Sequence, residues 1–178
     1  MTHREAFAMG GTAREPARWM LPSRSSSSRG CSMCYFPRMG EVNVRFGGPG
    51  DVDAVVDFWL LAAEGTDRHD SADKVMALIE RDPEALLIAE LERELVGTLV
   101  AGWDGWRAHL YRLAVHPGHR REGIASTLLA AAEARFAAFG AFRADAMVLD
   151  ANTLAHPAWS AAGYAPQSQW SRWVKPLA

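Results

Sequence analysis

Cysteine is scarce in this 178-residue chain, which has two, Cys31 and Cys34, in the stretch CSMC. The Cys-x-x-Cys spacing is that of half a zinc site or of a redox pair. A second cysteine pair is missing from the sequence, and so is a His-x3–5-His partner. The pattern therefore favours an ordinary pair of thiols, and we expect no metal cofactor.

Long apolar runs are also missing. No stretch approaches the roughly 20 residues that a membrane-spanning helix needs, so the sequence predicts no transmembrane segment and no membrane partner. The N-terminus lacks the compact apolar segment of a secretory signal. We therefore expect a cytoplasmic protein, of a length that suits one domain with a full core.

Positive charge is unevenly distributed. Residues 1–40 contain six arginines and two glutamates, whereas residues 41–178 contain 13 basic and 19 acidic residues. An acidic folded part argues against binding to a nucleic-acid backbone. It is compatible with a cationic substrate such as an amine.

Residues 1–40 include LPSRSSSSRG and show no sustained periodicity. Such a segment buries too little apolar surface to offset the entropy of ordering, so we expect a disordered extension. Its composition, rich in Arg and Ser, is similar to that of a transit peptide. A simple tail, or upstream sequence before a start at Met33 or Met39, is the preferred interpretation. The folded domain is expected to span 41–178.

Hydrophobic periodicity predicts six strands and four helices. The strands are expected at 42–47, 85–90, 95–103, 108–116, 146–150 and 164–174, and the helices at 52–64, 72–81, 123–139 and 154–162. Asp51 is a plausible N-cap of the first helix. On the third helix, one apolar face is expected to carry Ile124, Leu128, Leu129, Ala132, Phe136 and Phe139. This order predicts an α/β (α+β) domain with an antiparallel first half and a parallel crossing between 108–116 and 146–150.

The stretch VHPGHRREGIASTLL, residues 115–129, joins a strand to the strongest helix. The first N–H groups of a helix lack intrahelical partners and carry the positive end of the helix dipole. Arg120 and Arg121 add positive charge there, and Gly123 allows close approach to the backbone. An ordinary helix start favours acidic residues, so the two arginines indicate an anion site.

Two nucleotide motifs are excluded at this loop. Gly118 and Gly123 have the separation of a Walker A loop, but Ile124 and Ala125 stand where its lysine and hydroxyl residue belong. A G-x-G-x-x-G dinucleotide motif is absent as well. A kinase, which would bind ATP through 118–126, is therefore disfavoured.

The pattern R-x-x-G-x-A at Arg120, Gly123 and Ala125 resembles that of the GCN5-related N-acetyltransferase (GNAT) family, and the resemblance extends over about 42–174. It implies the GNAT fold, a mixed central sheet of six to seven strands with about four helices, splayed between the fourth and fifth strands. It also implies acetyl-CoA as cosubstrate, with the pyrophosphate on the backbone of 120–125.

The resemblance implies one set of cofactor-binding residues on the fourth strand, the loop and the helix start. The backbone of the strand would pair with the pantetheine arm, and the backbone N–H of Val115 would stabilise the oxyanion. The set comprises Leu113, Ala114, Val115, Arg120, Arg121, Glu122, Gly123, Ile124, Ala125, Ser126 and Asn152.

A second motif follows the fifth predicted strand. Asn152, Ala155, Ala158, Trp159, Gly163 and Tyr164 fall in the register of a pattern that is frequent in the family. Many members have at the Trp159 position a tyrosine thought to protonate the CoA thiolate. An indole is not a useful acid, so either another group such as Tyr164 or His156, or solvent, supplies this proton, or the activity is altered.

The strand AHLYRLAVH resembles the corresponding strand of the arylalkylamine N-acetyltransferases, where two histidines occupy the positions of His109 and Tyr111. Alternation places His109 and Tyr111 on one face of the strand. His109 is a candidate general base, with a purely structural histidine as the alternative, and Tyr111 is a further candidate catalytic residue. Glu90 and Asp150 are carboxylate alternatives at strand ends.

The acceptor pocket is expected to be walled by 62–73 and by the turn at 103–107. Trp59, Trp103 and Trp106 could contribute apolar or cation–π surface to it, although a core position is the preferred interpretation of Trp59. We therefore predict an enzyme that moves acetyl from acetyl-CoA to a primary amine of a small molecule or peptide by direct attack. The alternative is a GNAT-fold module that binds acyl-CoA without turnover. A homodimer is compatible with either.

Overall fold

The computed structural model describes residues 40–62, 70–175 and 177, and the predictions for residues 1–39, including Cys31 and Cys34, lie outside the described residues. The nine main elements are β1 Asn43–Phe46, α1 Val52–Ala62, α2 Ala72–Arg81, β2 Leu86–Leu91, β3 Glu94–Trp103, β4 Ala108–Val115, α3 Ile124–Ala138, β5 Ala144–Ala146 and α4 His156–Ala161. None of the described helices is long and apolar enough to cross a bilayer.

The five strands form one sheet in the order β1-β2-β3-β4-β5. The first three pairings are antiparallel, and β4 pairs with β5 in parallel, as the sequence predicted. The parallel pairing covers three rungs, which end at Leu110 and Ala146. From Tyr111 to Val115, β4 has no strand partner on this edge within the described part of the chain. The expected splay between the fourth and fifth strands is confirmed.

The strand count is lower than the six to seven that the family resemblance implied. The strand predicted at 146–150 is β5, which begins earlier and ends at Ala146. The strand predicted at 164–174 does not form, and Trp170 and Trp173 on it are 72% and 93% exposed. A strand needs a neighbouring ladder and a buried face, and the three-residue β5 offers little of either.

The sheet is covered on both faces. α3 and α4 pack on one face in a core that includes Leu99, Leu110, Leu128 and Trp159. α1 and α2 pack on the other face in a core that includes Val55, Trp59, Ile79 and Val100. Phe139, predicted on the buried face of α3, is instead 44% exposed and stacks on Trp103 at the helix end. It follows the last helical residue, where Gly140 adopts a positive φ and ends the helix.

A buried arginine fastens α3 to the sheet. Arg135 Nη1 donates to the carbonyl of Ala101 on β3 at 2.6 Å, and Nη2 lies 2.5 and 2.6 Å from the two carboxylate oxygens of Asp82. Its guanidinium also lies over the ring of Phe139, 4.8 Å from the centroid. The forked guanidinium therefore joins α3, β3 and the end of α2 in one contact.

The residue expected to cap α1 has a different role. Asp51 ends a 3-10 turn at Pro49–Asp51, and its carboxylate accepts from the backbone N–H of Gly48 and from Arg45. Arg45 also donates to Glu90 at 2.8 Å. This ion-pair network joins β1, the turn and β2. Glu90, a candidate carboxylate in the sequence, is therefore a structural ion-pair partner of Arg45.

Candidate active site

The start of α3 presents free backbone donors. Gly123 is its N-cap residue, with φ of 83°, and makes no side-chain cap. The helix begins with the bond from the N–H of Thr127 to the carbonyl of Gly123, at 3.0 Å. The N–H groups of residues 124–126 therefore have no intrahelical acceptor, which is the arrangement that binds anions at helix starts.

Positive side chains surround these donors. Arg120 and Arg121 are exposed, and neither has an ion-pair partner among the residues described. Arg121 adopts a φ of 68°, an uncommon conformation for a residue with a side chain. The carboxylate of Glu122, in the same loop, lies 3.0 Å from His119 Nδ1. The loop therefore keeps its positive charge available for a ligand.

A β-bulge interrupts β4 at Arg112. The β3–β4 register shifts between Thr98 and Val100, and Arg112 has a φ of 53°. Two hydrogen bonds hold the bulge: Trp59 Nε1 donates to Thr98 Oγ1 at 2.8 Å in a buried contact, and Thr98 Oγ1 donates to the carbonyl of Arg112 at 3.2 Å in a partly buried one. The sequence analysis missed this role of Thr98, since a lone threonine in an apolar strand carries no signal of a bulge.

The open edge of β4 carries unpaired backbone groups. The N–H of His116 donates to the carbonyl of Val96 on β3, at 2.9 Å. In an antiparallel ladder the N–H direction alternates, so the N–H of Val115 faces the opposite edge. The N–H of Leu113, two residues earlier on the strand, points in the same direction as that of Val115. Both donors therefore face the gap that β5 leaves open.

A first cavity of about 180 Å³ lies beside the bulge, between α1, α2 and the sheet. Arg112 forms an ion pair with Asp70 at its rim and lies 5.4 Å from the centroid of the Trp59 ring. The cavity is lined by Trp59, Asp70, Ser71, Lys74, Val75, Leu78, Val100, Tyr111 and Arg112. Asp70 and Ser71 belong to the predicted wall at 62–73, whereas 63–69 lie outside the described residues.

A second cavity, of about 320 Å³, lies at the turn between β3 and β4 and is lined by Asp104, Trp106, Arg107 and His109. The backbone N–H groups of Arg107 and Trp106 hold the pKa of the Asp104 carboxyl below its usual value. The ring of His109, which lines this cavity, lies 6.0 Å from the ring of Tyr111, which lines the first cavity. The predicted wall at 103–107 is part of this second cavity.

His109 has a carboxylate partner that the sequence analysis did not identify. Its Nδ1 lies 2.5 Å from Asp145 Oδ1, across the β4–β5 pairing. Burial raises the pKa of Tyr111, and the charges of Asp145 and Asp104 raise it further. Only the β4–β5 register identifies Asp145 as the partner of His109, because Asp145 lies before the strand predicted at 146–150.

The residue at the family's tyrosine position is part of the core. Trp159 is 8% exposed, and the Tyr164 ring packs edge-on against it at 5.1 Å. Burial raises the pKa of Tyr164 well above its usual range, and a hydrogen bond to Glu133 of α3 raises it further. Tyr164 is therefore directed to α3 rather than to the strand gap.

The remaining candidates after β5 make local contacts. Asn152 Oδ1 accepts from the N–H of Ala155 at 3.2 Å, and His156 Nε2 lies 3.2 Å from the carbonyl of Leu149. Asp150 is exposed at the end of this segment. Within the residues described, no three His, Cys, Asp or Glu side chains are grouped as metal ligands would be.

Comparison with known proteins gives consistent matches. The model of the acetyltransferase (GNAT) family matches residues 52–164. An acetyltransferase of Pectobacterium atrosepticum is 32% identical over 102 residues, which cover 57% of this chain and 72% of that protein.

Two solved structures share the fold. Ard1 of Thermoplasma volcanium has a TM-score of 0.63 at 18% identity, covering 71% of this chain and 84% of its own. The structure of yncA from Salmonella typhimurium with its cofactor acetyl-CoA has a TM-score of 0.58 at 21% identity, covering 70% and 79%. The match to the family model and the Pectobacterium relative confirm the predicted enzyme class, an acyl-CoA-dependent N-acyltransferase. The chain belongs to the acetyltransferase (GNAT) family.

Proposed function

We propose that this protein transfers an acetyl group from acetyl-CoA to a primary amine of a small molecule or peptide, by direct attack of the amine. One observation carries the proposal: a single strand, β4, borders both cavities, leaves an unpaired edge and ends at a helix start with free backbone donors. Residues 41–178 would form the catalytic domain, and residues 1–40 an extension to it.

The cofactor would lie along the open edge of β4. The backbone N–H groups at the start of α3 suit the pyrophosphate, and Arg120 and Arg121 add charge. The backbone of residues 113–115 offers partners for the amide groups of the pantetheine arm, because it faces the gap beside β5. Ser126 is exposed at the first turn of α3, next to the phosphate position.

The chemistry requires a base, an oxyanion donor and a proton donor. Acetyl-CoA supplies an acetyl group activated as a thioester. His109 would accept the proton that the attacking amine releases, and the N–H of Val115 would stabilise the charge on the carbonyl oxygen. The new N–C bond replaces the C–S bond, and Tyr111 would donate a proton to the departing thiolate. The ring of Tyr111 lies 6.0 Å from that of His109 on the same strand, which supports this role.

Calorimetric titration with CoA tests the cofactor site. Arg120→Glu should weaken CoA binding about tenfold or more, because it replaces a charge-assisted contact by repulsion. Arg143→Glu is the matched control. Arg143 immediately precedes β5, near the first residue of β4, and therefore lies at the end of β4 that is remote from α3. Equal CoA affinity of wild type and Arg120→Glu would contradict the site.

Release of CoA thiol, measured with acetyl-CoA and a panel of primary amines, tests the reaction. The expected result is turnover of at least one amine, with a large loss in His109→Gln. Tight CoA binding with no turnover across the panel would contradict the proposed transfer and favour a binding module.

A further inference from the structure

The His109–Asp145 contact is built into the sheet. The two residues are Cα partners in the middle rung of the short β4–β5 pairing, with Ala108 paired to Ala144 before it and Leu110 to Ala146 after it. Their side chains meet at 2.5 Å and are 25% and 46% exposed. His109 lies two residues before Tyr111, where the strand gap begins.

The chemistry of the pair determines where its protons are. An ionised carboxylate only accepts hydrogen bonds, so Nδ1 of His109 must be the donor. A neutral imidazole has one N–H, so Nε2 is then an unprotonated acceptor. Among the described residues Nε2 has no hydrogen-bond partner, and the His109 ring lines the second cavity. A free imidazole nitrogen is thus available at the cavity wall.

We propose that Asp145 is a positioning residue for the acyl transfer, which fixes His109 as the Nδ1–H tautomer so that Nε2 receives the proton of the attacking amine. This inference rests on the proposed function. Asp145 touches neither substrate nor thioester in this role, and the imidazolium that forms after proton transfer is stabilised by the adjacent carboxylate. The raised pKa of Tyr111, to which the charge of Asp145 contributes, is consistent with one coupled group of side chains.

A purely structural Asp145 would have different consequences. It would hold β5 against β4, and its loss would lower stability and CoA affinity without changing the His109 tautomer. The backbone rungs of β4 and β5 do not require the carboxylate, so Asp145→Asn should fold. Its melting temperature and CoA affinity are expected to stay close to those of wild type.

Nitrogen-15 NMR of the His109 ring tests the tautomer without any turnover. With the imidazole neutral, the wild type should show a protonated Nδ1 and an unprotonated Nε2. Asp145→Asn should reduce this tautomer, because a carboxamide can donate to Nδ1 as readily as accept from it. An Nε2–H tautomer in the wild type, or an unchanged tautomer in Asp145→Asn, would overturn the proposal. This measurement tests the role of Asp145 even if no amine is acetylated. Absence of turnover would contradict the proposed function but not the tautomer assignment.

Kinetics then tests the effect on the reaction. Asp145→Asn should lower kcat about tenfold or more while the KM for the amine stays within about twofold. In a His109→Gln background it should have almost no further effect, since Asp145 acts through His109. Asp57→Asn, on the exposed face of α1, removes one carboxylate elsewhere as the control. An equal loss of kcat with and without His109 would refute a positioning role.

Discussion

Gly97 on β3 lies directly beneath Ile124, the first residue of α3. A Cβ built on Gly97 would lie 2.7 Å from Ile124 Cγ2 and 3.1 Å from Leu128 Cδ1, closer than packed carbon atoms approach. The helix start that carries the free backbone donors therefore rests on a strand position that has room for hydrogen only. Core packing at this contact supports the proposed cofactor site.

Gly97→Ala should therefore affect both stability and cofactor binding. Overpacking of a filled core costs about 1–3 kcal/mol, and relief of the clash requires α3 to move away from the sheet. Urea denaturation should show the lower free energy of unfolding, and calorimetry should show weaker CoA binding.

Gly50→Ala is the control for Gly97→Ala. Gly50 lies in the 3-10 turn before α1, and a Cβ there would have no neighbour within 4 Å. This variant should be close to wild type in both measurements. If Gly97→Ala binds CoA with wild-type affinity, the proposed phosphate site does not depend on the position of α3 against the sheet.

The start of α3 and most of the core were predictable because they depend on local sequence patterns. The helix start at Gly123 follows from a glycine, two arginines and a strong apolar periodicity, all within one stretch of chain. The burial of Trp59 and the boundaries of α2 follow from the same periodicity. Such features depend on the spacing of neighbouring residues, which the sequence displays directly.

Features that depend on strand register were not predictable. Asp145 meets His109 because β5 begins at Ala144, and the apolar run had placed that strand at 146–150. The bulge at Arg112 depends on how β3 and β4 are paired, which the alternation of either strand alone does not specify. Arg135 falls on the apolar face of α3, where only the tertiary contact with Asp82 explains its burial.

Arg135→Met should strongly destabilise the fold. The substitution keeps much of the side-chain volume but leaves Asp82 and the carbonyl of Ala101 without their donor. Removing one member of a buried ion pair costs about 3–5 kcal/mol, and the lower end applies because Asp82 is partly exposed. The free energy of unfolding in urea measures this loss. Arg143→Met, at an exposed position, should stay within about 0.5 kcal/mol of wild type.

Asp51 should make stability sensitive to acid. Hydrogen bonds from Arg45 hold the pKa of Asp51 below its usual value of 3.8, so folding is favoured when the carboxyl is ionised. This stabilisation is present above the unfolded-state pKa and is lost as pH falls through the folded-state pKa. The wild type should therefore lose more stability than Asp51→Asn between about pH 5 and pH 2.5, as urea midpoints would show. Parallel losses in the two proteins would mean that Asp51 is not the responsible group.

The two tyrosines near the strand gap should differ in their effect on turnover. Tyr111 lines the first cavity and adjoins His109, whereas the phenol of Tyr164 is hydrogen-bonded to Glu133 of α3. Replacement by phenylalanine removes each hydroxyl and keeps each ring in place. Tyr111→Phe should lower kcat about tenfold or more, because it removes the proposed proton donor, while Tyr164→Phe should stay within about twofold.

The measurement is kcat at saturating acetyl-CoA with the best amine of the panel, and melting temperatures check that each variant folds. Tyr164 packs against Trp159, the residue at the family's tyrosine position. Comparison of the two variants therefore tests whether the proton donor lies on β4 or beside the family's tyrosine position. If Tyr164→Phe loses turnover and Tyr111→Phe does not, the proton reaches the thiolate from the α4 side. The opposite result places the proton donor on β4, beside the base, and leaves Trp159 as a core residue alone.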